Sequence, residues 1–440
     1  MTGAAPAPGR LLRILGLGFG LAVIVGAAVG GEILRLPGPV AKAIPDPNLF
    51  LFAWVLGGAY AGVCAFSFAE LGTRVPRSGG LTAFAEAGLG PFPGFVVGWG
   101  DFLASVFTVG AYALLVGDLA KAIGLPGPAR GLAALSVLFI GALQWPGLRP
   151  GSLLQDASSA AKGLLLLGLA IAGLSLAPAG DEGSAVGPAP GGLVAFLGAM
   201  QLVIFAYDNY YASVYFGDEY VDPARQVPRS LLGGVALVTL LYLMLAWGFS
   251  RGLSHGQLAG SEFPGAELGM RLFGAGGGTL VSGILLLSLL SGMNATALIA
   301  SRILYALGAE GLAGRHSTDV NPGGTPTTGL AVTLALSMTG LVLPSFERAI
   351  QFMSPFVLIN YALCFTALLV LRRKEPTPTG VFRAPLFPAS TLLGLLGSLV
   401  FLTGSLLAEP LLGAFSLALV LLAWPIFRIL RRQGILPTRT

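Results

Sequence analysis

Apolar runs long enough to cross about 30 Å of hydrocarbon recur along the whole of this 440-residue chain. That recurrence restricts it to a bundle of membrane helices. The runs cover residues 12–36, 49–70, 92–117, 130–147, 153–176, 193–217, 230–250, 278–307, 327–344, 348–371, 386–407 and 410–430. Between them no loop is long enough for a soluble domain, and the longest polar stretches, 178–192 and 251–277, are rich in Gly, Pro and Ser. The expected architecture is therefore all-α, with about twelve transmembrane helices in a single domain over 1–440. Only 10% of residues are charged, against roughly 25% in a soluble domain. The 65 glycines fit helices whose backbones approach closely where lipid supplies no hydrophobic drive.

An even number of spans places both termini on one side. With the termini inside, the loop Lys and Arg residues fall on the cytoplasmic side except Lys42, Lys121, Arg130, Arg251, Arg271 and Arg348. This bias supports both the helix count and the orientation. The basic residues are scattered between apolar runs, so the net charge of +5 does not point to nucleic acid. Cys64 and Cys364 lie inside apolar runs and read as buried small residues rather than a disulfide or a metal site. Arg10 and Arg13 precede an apolar stretch too long for a signal peptide, which reads as the first span. Arg exceeds Lys, and Ala and Gly abound, which suggests a GC-rich bacterial genome and a cell inner membrane.

Two spans carry sequence unsuited to a continuous helix. The first contains Gly26-Ala27-Ala28-Val29-Gly30-Gly31-Glu32-Ile33. Each Gly costs about 1 kcal/mol against Ala, and an unwound stretch in lipid must line a polar cavity. The sixth span contains Phe205-Ala206-Tyr207-Asp208-Asn209, with two polar side chains deep in an apolar run. Interruptions at positions one and six are the hydropathy signature of two five-helix inverted repeats. These would cover 12–176 and 193–371, with two further helices in 386–430.

These segments resemble the amino acid–polyamine–organocation permease superfamily. Its first-helix pattern G-S-G-I-F-x-x-P-G is similar to Gly30-Gly31-Glu32-Ile33-Leu34-Arg35-Leu36-Pro37-Gly38. Its second-helix ending resembles Ala69-Glu70-Leu71-Gly72-Thr73-Arg74-Val75-Pro76-Arg77-Ser78-Gly79-Gly80. Gly98-Trp99, Phe205 to Tyr210, Glu219 to Arg229, and Asn294 to Ser301-Arg302 follow in family order over residues 15–375. The resemblance implies the five-plus-five inverted-repeat transporter fold and a secondary transporter working by alternating access. It implies an amino acid substrate, with coupling to protons or to exchange rather than to sodium. An amine or polyamine exchanger, or a non-transporting receptor or subunit, is the alternative.

By the same resemblance, the substrate carboxylate meets backbone amides of Gly30, Gly31 and Glu32, and its amino group meets carbonyls near Ala27, Phe205 and Asp208. Gly26, Val29, Ile33, Ala206, Tyr207 and Asn209 complete the two segments, with Thr108, Ser288, Ser291 and Asn294 facing the pocket. Two positions depart from the family pattern. Glu32 replaces Gly, placing a carboxylate beside a carboxylate site and leaving room for a cationic head. Asn209 and Tyr210 replace Gly and Trp. Lys162, deep in the fifth span, stands where sodium-coupled relatives bind sodium, and is expected to bridge helices one and eight and to couple transport to protons or exchange. Arg35 is expected at an outer gate, and Glu70, Glu219 and Arg302 at an inner one. His255 and His316 fall in loops, and no H-E-x-x-H or G-x-S-x-G occurs, so no enzyme, metal centre or cofactor is expected. The expected partners are a small-molecule substrate, protons and the lipid bilayer.

Overall fold

The computed structural model describes residues 12–77, 79–178, 192–343, 346–376, 378 and 380–432. Arg10, Ser78, Arg439 and residues 179–191 lie outside them. Among the described residues the chain is helical, with no strand. The first span comprises α1 (Leu17–Ala28), α2 (Glu32–Arg35) and α3 (Pro37–Ala43). The rest of the first half is α4 (Pro47–Arg74), the short α5 (Leu81–Leu89), α6 (Pro91–Ala122), α7 (Ala129–Gln144) and α8 (Leu148–Ser175). The second half begins with α9 (Gly192–Tyr207), α10 (Pro223–Gly252), α11 (His255–Gly260) and α12 (Pro264–Phe273). It continues with α13 (Gly277–Ala309), α14 (Thr327–Gly340) and α15 (Phe346–Lys374), and α16 (Ala389–Ala408), α17 (Pro410–Leu421) and α18 (Ala423–Arg432) follow.

Nine described helical segments are long and apolar enough to cross a membrane. The three remaining expected spans are occupied by the shorter α7, α9 and α14. Three sequence expectations need adjusting. The sixth span stops being α-helical at Tyr207 rather than 217, because the chain turns at Asp208 and Asn209. The stretch 251–277 is not an open loop: Ser254 and Gln257 form a capping box that starts α11, and Pro264 starts α12. The last span is divided at Leu422 into α17 and α18.

Helix starts follow local chemistry. Asp46 accepts from the amides of Asn48 and Leu49 at 2.7 and 2.9 Å, ahead of Pro47. Burial separates a centre from a rim. The apolar window of α6 is 83% buried, while that of α17 and α18 is 22% buried and lies at the rim. Where α6 passes α14, a Cβ on Gly110 would lie 2.8 Å from the Ser337 carbonyl oxygen and 2.9 Å from Gly340 Cα, so only glycine allows that approach. Cys64 and Cys364 are buried and free.

Candidate substrate and coupling site

The first interruption begins at Val29, whose backbone leaves the helical region at φ −87° and ψ 78°. Gly30 N–H turns back to Ala28 O at 3.1 Å, and a new helix starts at Glu32. The carbonyls released by this turn find partners from other spans. Lys162 Nζ donates to Gly26 O at 2.8 Å, and Tyr242 Oη donates to Ala28 O at 2.6 Å. Gly26, Ala27, Val29, Gly30, Gly31, Glu32 and Ile33 are all buried. The Glu32 side chain folds back over Gly30, in the space a Cβ there would need. Its Oε1 accepts from Tyr112 Oη, and Oε2 has no partner. A carboxylate of the chain itself thus occupies the amide end where the resemblance puts the substrate carboxylate.

The second interruption is built differently. Asp208 N–H bonds back three residues to Phe205 O at 3.0 Å. Asn209 then takes φ +62°, and a 3-10 turn over Ala212–Tyr215 carries the chain on. Asn is among the few side chains that tolerate left-handed backbone, which accounts for Asn where the family pattern has Gly. Asp208 Oδ1 accepts from Tyr361 Oη of α15, and Tyr207 Oη donates to Trp54 O at 3.0 Å. Tyr242 ties the interruptions together: its ring centroid is 5.0 Å from that of Tyr207 while its hydroxyl holds Ala28.

Lys162 is fully buried. Its bond runs from the fifth span to the first, whereas the sequence suggested a bridge between helices one and eight. The eighth span joins through neighbouring hydroxyls and amides. Ser158 and Ser291 hydroxyls lie 3.0 Å apart, Ser159 Oγ donates to Ala22 O at 2.8 Å, and Gln155 Oε1 accepts from Asn294 Nδ2 at 2.9 Å. Gln144 closes this network by donating to Asn294 Oδ1 at 2.9 Å. Buried polar groups of this kind must be mutually satisfied, which holds the first, fourth, fifth and eighth spans in one arrangement.

The residues expected at an inner gate divide into two clusters. Glu219 and Arg302 form a bidentate pair at 2.6 and 3.0 Å with both side chains buried, and the guanidinium lies 4.9 Å from the Phe216 ring centroid. Glu70 pairs instead with Arg372, with Arg74 at 3.7 Å, and accepts from Ala384 N at 2.7 Å. On the same side Arg77 bridges Glu310 at 2.5 Å and Glu86 at 3.3 Å. Arg35 ends α2 and is partly exposed. Thr108 does not reach the interruptions by hydrogen bond: its hydroxyl donates to Ala104 O at 2.8 Å and meets Met353 sulfur. Phe205 O accepts from Asp208 N–H at 3.0 Å. Phe205, Ala206 and Asp208 flank the turn, and Ser288 Oγ is buried without a partner. His255 Nε2 lies 2.9 Å from Ile44 O and pins α11 beside α3.

Sequence reasoning missed Asp101, a buried carboxylate that accepts from Tyr215 Oη at 2.6 Å. The signal was present, an acidic residue inside the run 92–117, as Asp208 is inside 193–217. Tyr112, Tyr242 and Tyr361 gave no such signal, since tyrosine is unremarked in a membrane helix until its hydroxyl is seen to hold a partner.

A bundle of apolar helices in which the first and sixth spans unwind and meet through buried polar groups defines a polytopic membrane transporter. The profile of the family described as "Amino acid permease" matches residues 15–423, and the chain belongs to that family. It is 25% identical to the "Serine/threonine exchanger SteT" of Bacillus subtilis (strain 168), over 96% of this chain and 98% of that protein. It is 24% identical to "b(0,+)-type amino acid transporter 1" of Mus musculus, over 91% and 84%. With "Large neutral amino acids transporter small subunit 2" of Mus musculus it shares 27% identity, over 95% and 81%.

Proposed function

We propose that this chain carries amino acids across a bacterial inner membrane by alternating access, driven by exchange or by protons rather than by sodium. The observation that carries this reading is the Lys162 ammonium bonded to Gly26 O at the first interruption. A resident cation there supplies the fixed positive charge that a bound sodium ion would otherwise bring. The two runs of five spans, 12–176 and 193–371, act as inverted repeats with the interruptions at their shared centre, and both termini face the cytoplasm. Serine, threonine and large neutral amino acids are the solutes to try first, since relatives carry those names. Glu219–Arg302 and Glu70–Arg372 close the cytoplasmic end, and Arg35 sits toward the outer one.

The test is uptake of labelled amino acids into proteoliposomes containing the purified chain. Uptake should rise with unlabelled substrate preloaded inside, or with an inward proton gradient, and should ignore a sodium gradient. Uptake that requires sodium overturns the coupling, and no uptake of any amino acid overturns the function. A second reading, transport of an amine or polyamine, is favoured by one observation: Glu32 already occupies the amide end of the site. A linear diamine in the same assay decides between them.

A further inference from the structure

Between the second interruption and a second buried carboxylate stand three tyrosines, two of them bonded to the carboxylates. Tyr361 Oη donates to Asp208 Oδ1, and Tyr215 Oη donates to Asp101 Oδ2 at 2.6 Å. Tyr211 stands between the two tyrosines, with ring centroids 5.4 Å from Tyr361 and 5.9 Å from Tyr215. All five side chains are buried. The line points toward the end of the bundle that carries the Glu219–Arg302 pair, because Tyr215 precedes Phe216, on which Arg302 rests. Beyond Asp101, Asn360 Nδ2 and Thr82 Oγ1 are buried and unpartnered. They border Gly100 and Gly98 of the same helix, where an added Cβ would lie 3.2 Å from Asn360 Oδ1 and 2.9 Å from Thr82 Oγ1.

We propose that Asp101, Tyr215, Tyr211, Tyr361 and Asp208 form a proton line that links the substrate site to the end of the bundle bearing the Glu219–Arg302 pair. The transfer balances without ionising any tyrosine. Protonated Asp101 gives its proton to Tyr215 Oη, Tyr215 passes its own to Tyr211, Tyr211 to Tyr361, and Tyr361 to the Asp208 carboxylate. Four protons each move one step, the two middle steps as the Tyr211 hydroxyl swings onto its neighbours, one proton is delivered, and Asp101 is left as carboxylate. Asp101 takes its next proton from water entering from that end, where Asn360 Nδ2 and Thr82 Oγ1 are unpartnered. The other titratable groups facing the line are Glu32 of the first span, Tyr60 of α4, Tyr112 of α6, Tyr210 of the turn and Cys364 of α15. Two carboxylates at the ends of a hydroxyl chain, in a bundle interior, match the chemistry of membrane proton relays.

This inference rests on the transport reading above, and the test separates the two. The full chain is placed in proteoliposomes with a trapped pH dye, and exchange at equal pH is measured beside substrate uptake driven by an inward proton gradient. Tyr215→Phe removes one hydroxyl and keeps the ring, and Asp101→Asn removes the group that feeds the proton in. Both variants should keep exchange within about twofold of wild type and lose proton-driven uptake and substrate-linked acidification by roughly 100-fold. Tyr60→Phe, which loses a hydroxyl bonded to Gly394 O and Ser398 of α16 and to no member of the line, should keep both. Wild-type exchange with no acidification on substrate uptake overturns the proton line and leaves the transport reading standing. Normal proton-driven uptake in Tyr215→Phe also overturns it. If either variant misfolds, the exchange arm shows it, and the other variant decides.

Discussion

The two interrupted spans do the same structural job with different chemistry. The first is opened by glycines whose backbone stays in ordinary regions: Gly31 has φ −73°. Those glycines are there for space, with the Glu32 side chain over Gly30 and Leu285 against Gly31. Its released carbonyls are held by a cation and a tyrosine from the fifth and seventh spans. The second is turned by backbone conformation at Asn209, φ +62°, and held by tyrosine hydroxyls. One interruption is charge-compensated and the other is hydroxyl-bound, so a charge change should damage the first more, and a conformational change the second.

The largest expected effect comes from removing the cation. Lys162→Ala leaves Gly26 O without its donor and Glu32 without a nearby positive charge, and should cost about 3 kcal/mol. It should lower the thermal stability of the purified protein and abolish proton-driven uptake; undiminished uptake would remove Lys162 from coupling. Next is Gly31→Ala, whose new methyl must displace Leu285 in a packed core. A loss of about 2 kcal/mol in denaturation is expected, and a neutral result would mean the glycine is not needed for space.

At the second interruption the pair Asn209→Ala and Asn209→Gly isolates backbone conformation. Ala should cost about 1–2 kcal/mol because of the left-handed geometry, and Gly should be nearly silent. Equal losses would show that the Asn side chain, not its backbone, matters. The smallest effect is expected from Glu32→Gly, which clears the carboxylate from the amide end. Amino acid affinity should rise about fivefold, near 1 kcal/mol, while diamine affinity falls. Tighter diamine binding in that variant would contradict the role given to Glu32.

Both interruptions were legible as breaks because Gly30-Gly31-Glu32 and Asp208-Asn209 violate the rules a lipid-embedded helix obeys. Which atoms close them was not. Tyr112, Tyr242 and Tyr361 lie between 80 and 214 positions from the groups they bind, and no local pattern specifies a contact at that separation. Glu70 shows the same limit. It reads as a gate residue at the end of the second span, yet its partner is Arg372, 302 positions on, rather than Arg302.

What the sequence alone determined is the list of spans, the places where two of them fail, and the family, since hydropathy and glycine or carboxylate content act locally along the chain. What the tertiary structure decided is the pairing: Lys162 with Gly26, Glu32 folded over Gly30, Asp101 with Tyr215 and Asp208 with Tyr361. A buried polar group must find its partner wherever the packing of distant helices puts one, and that packing is a property of the whole bundle.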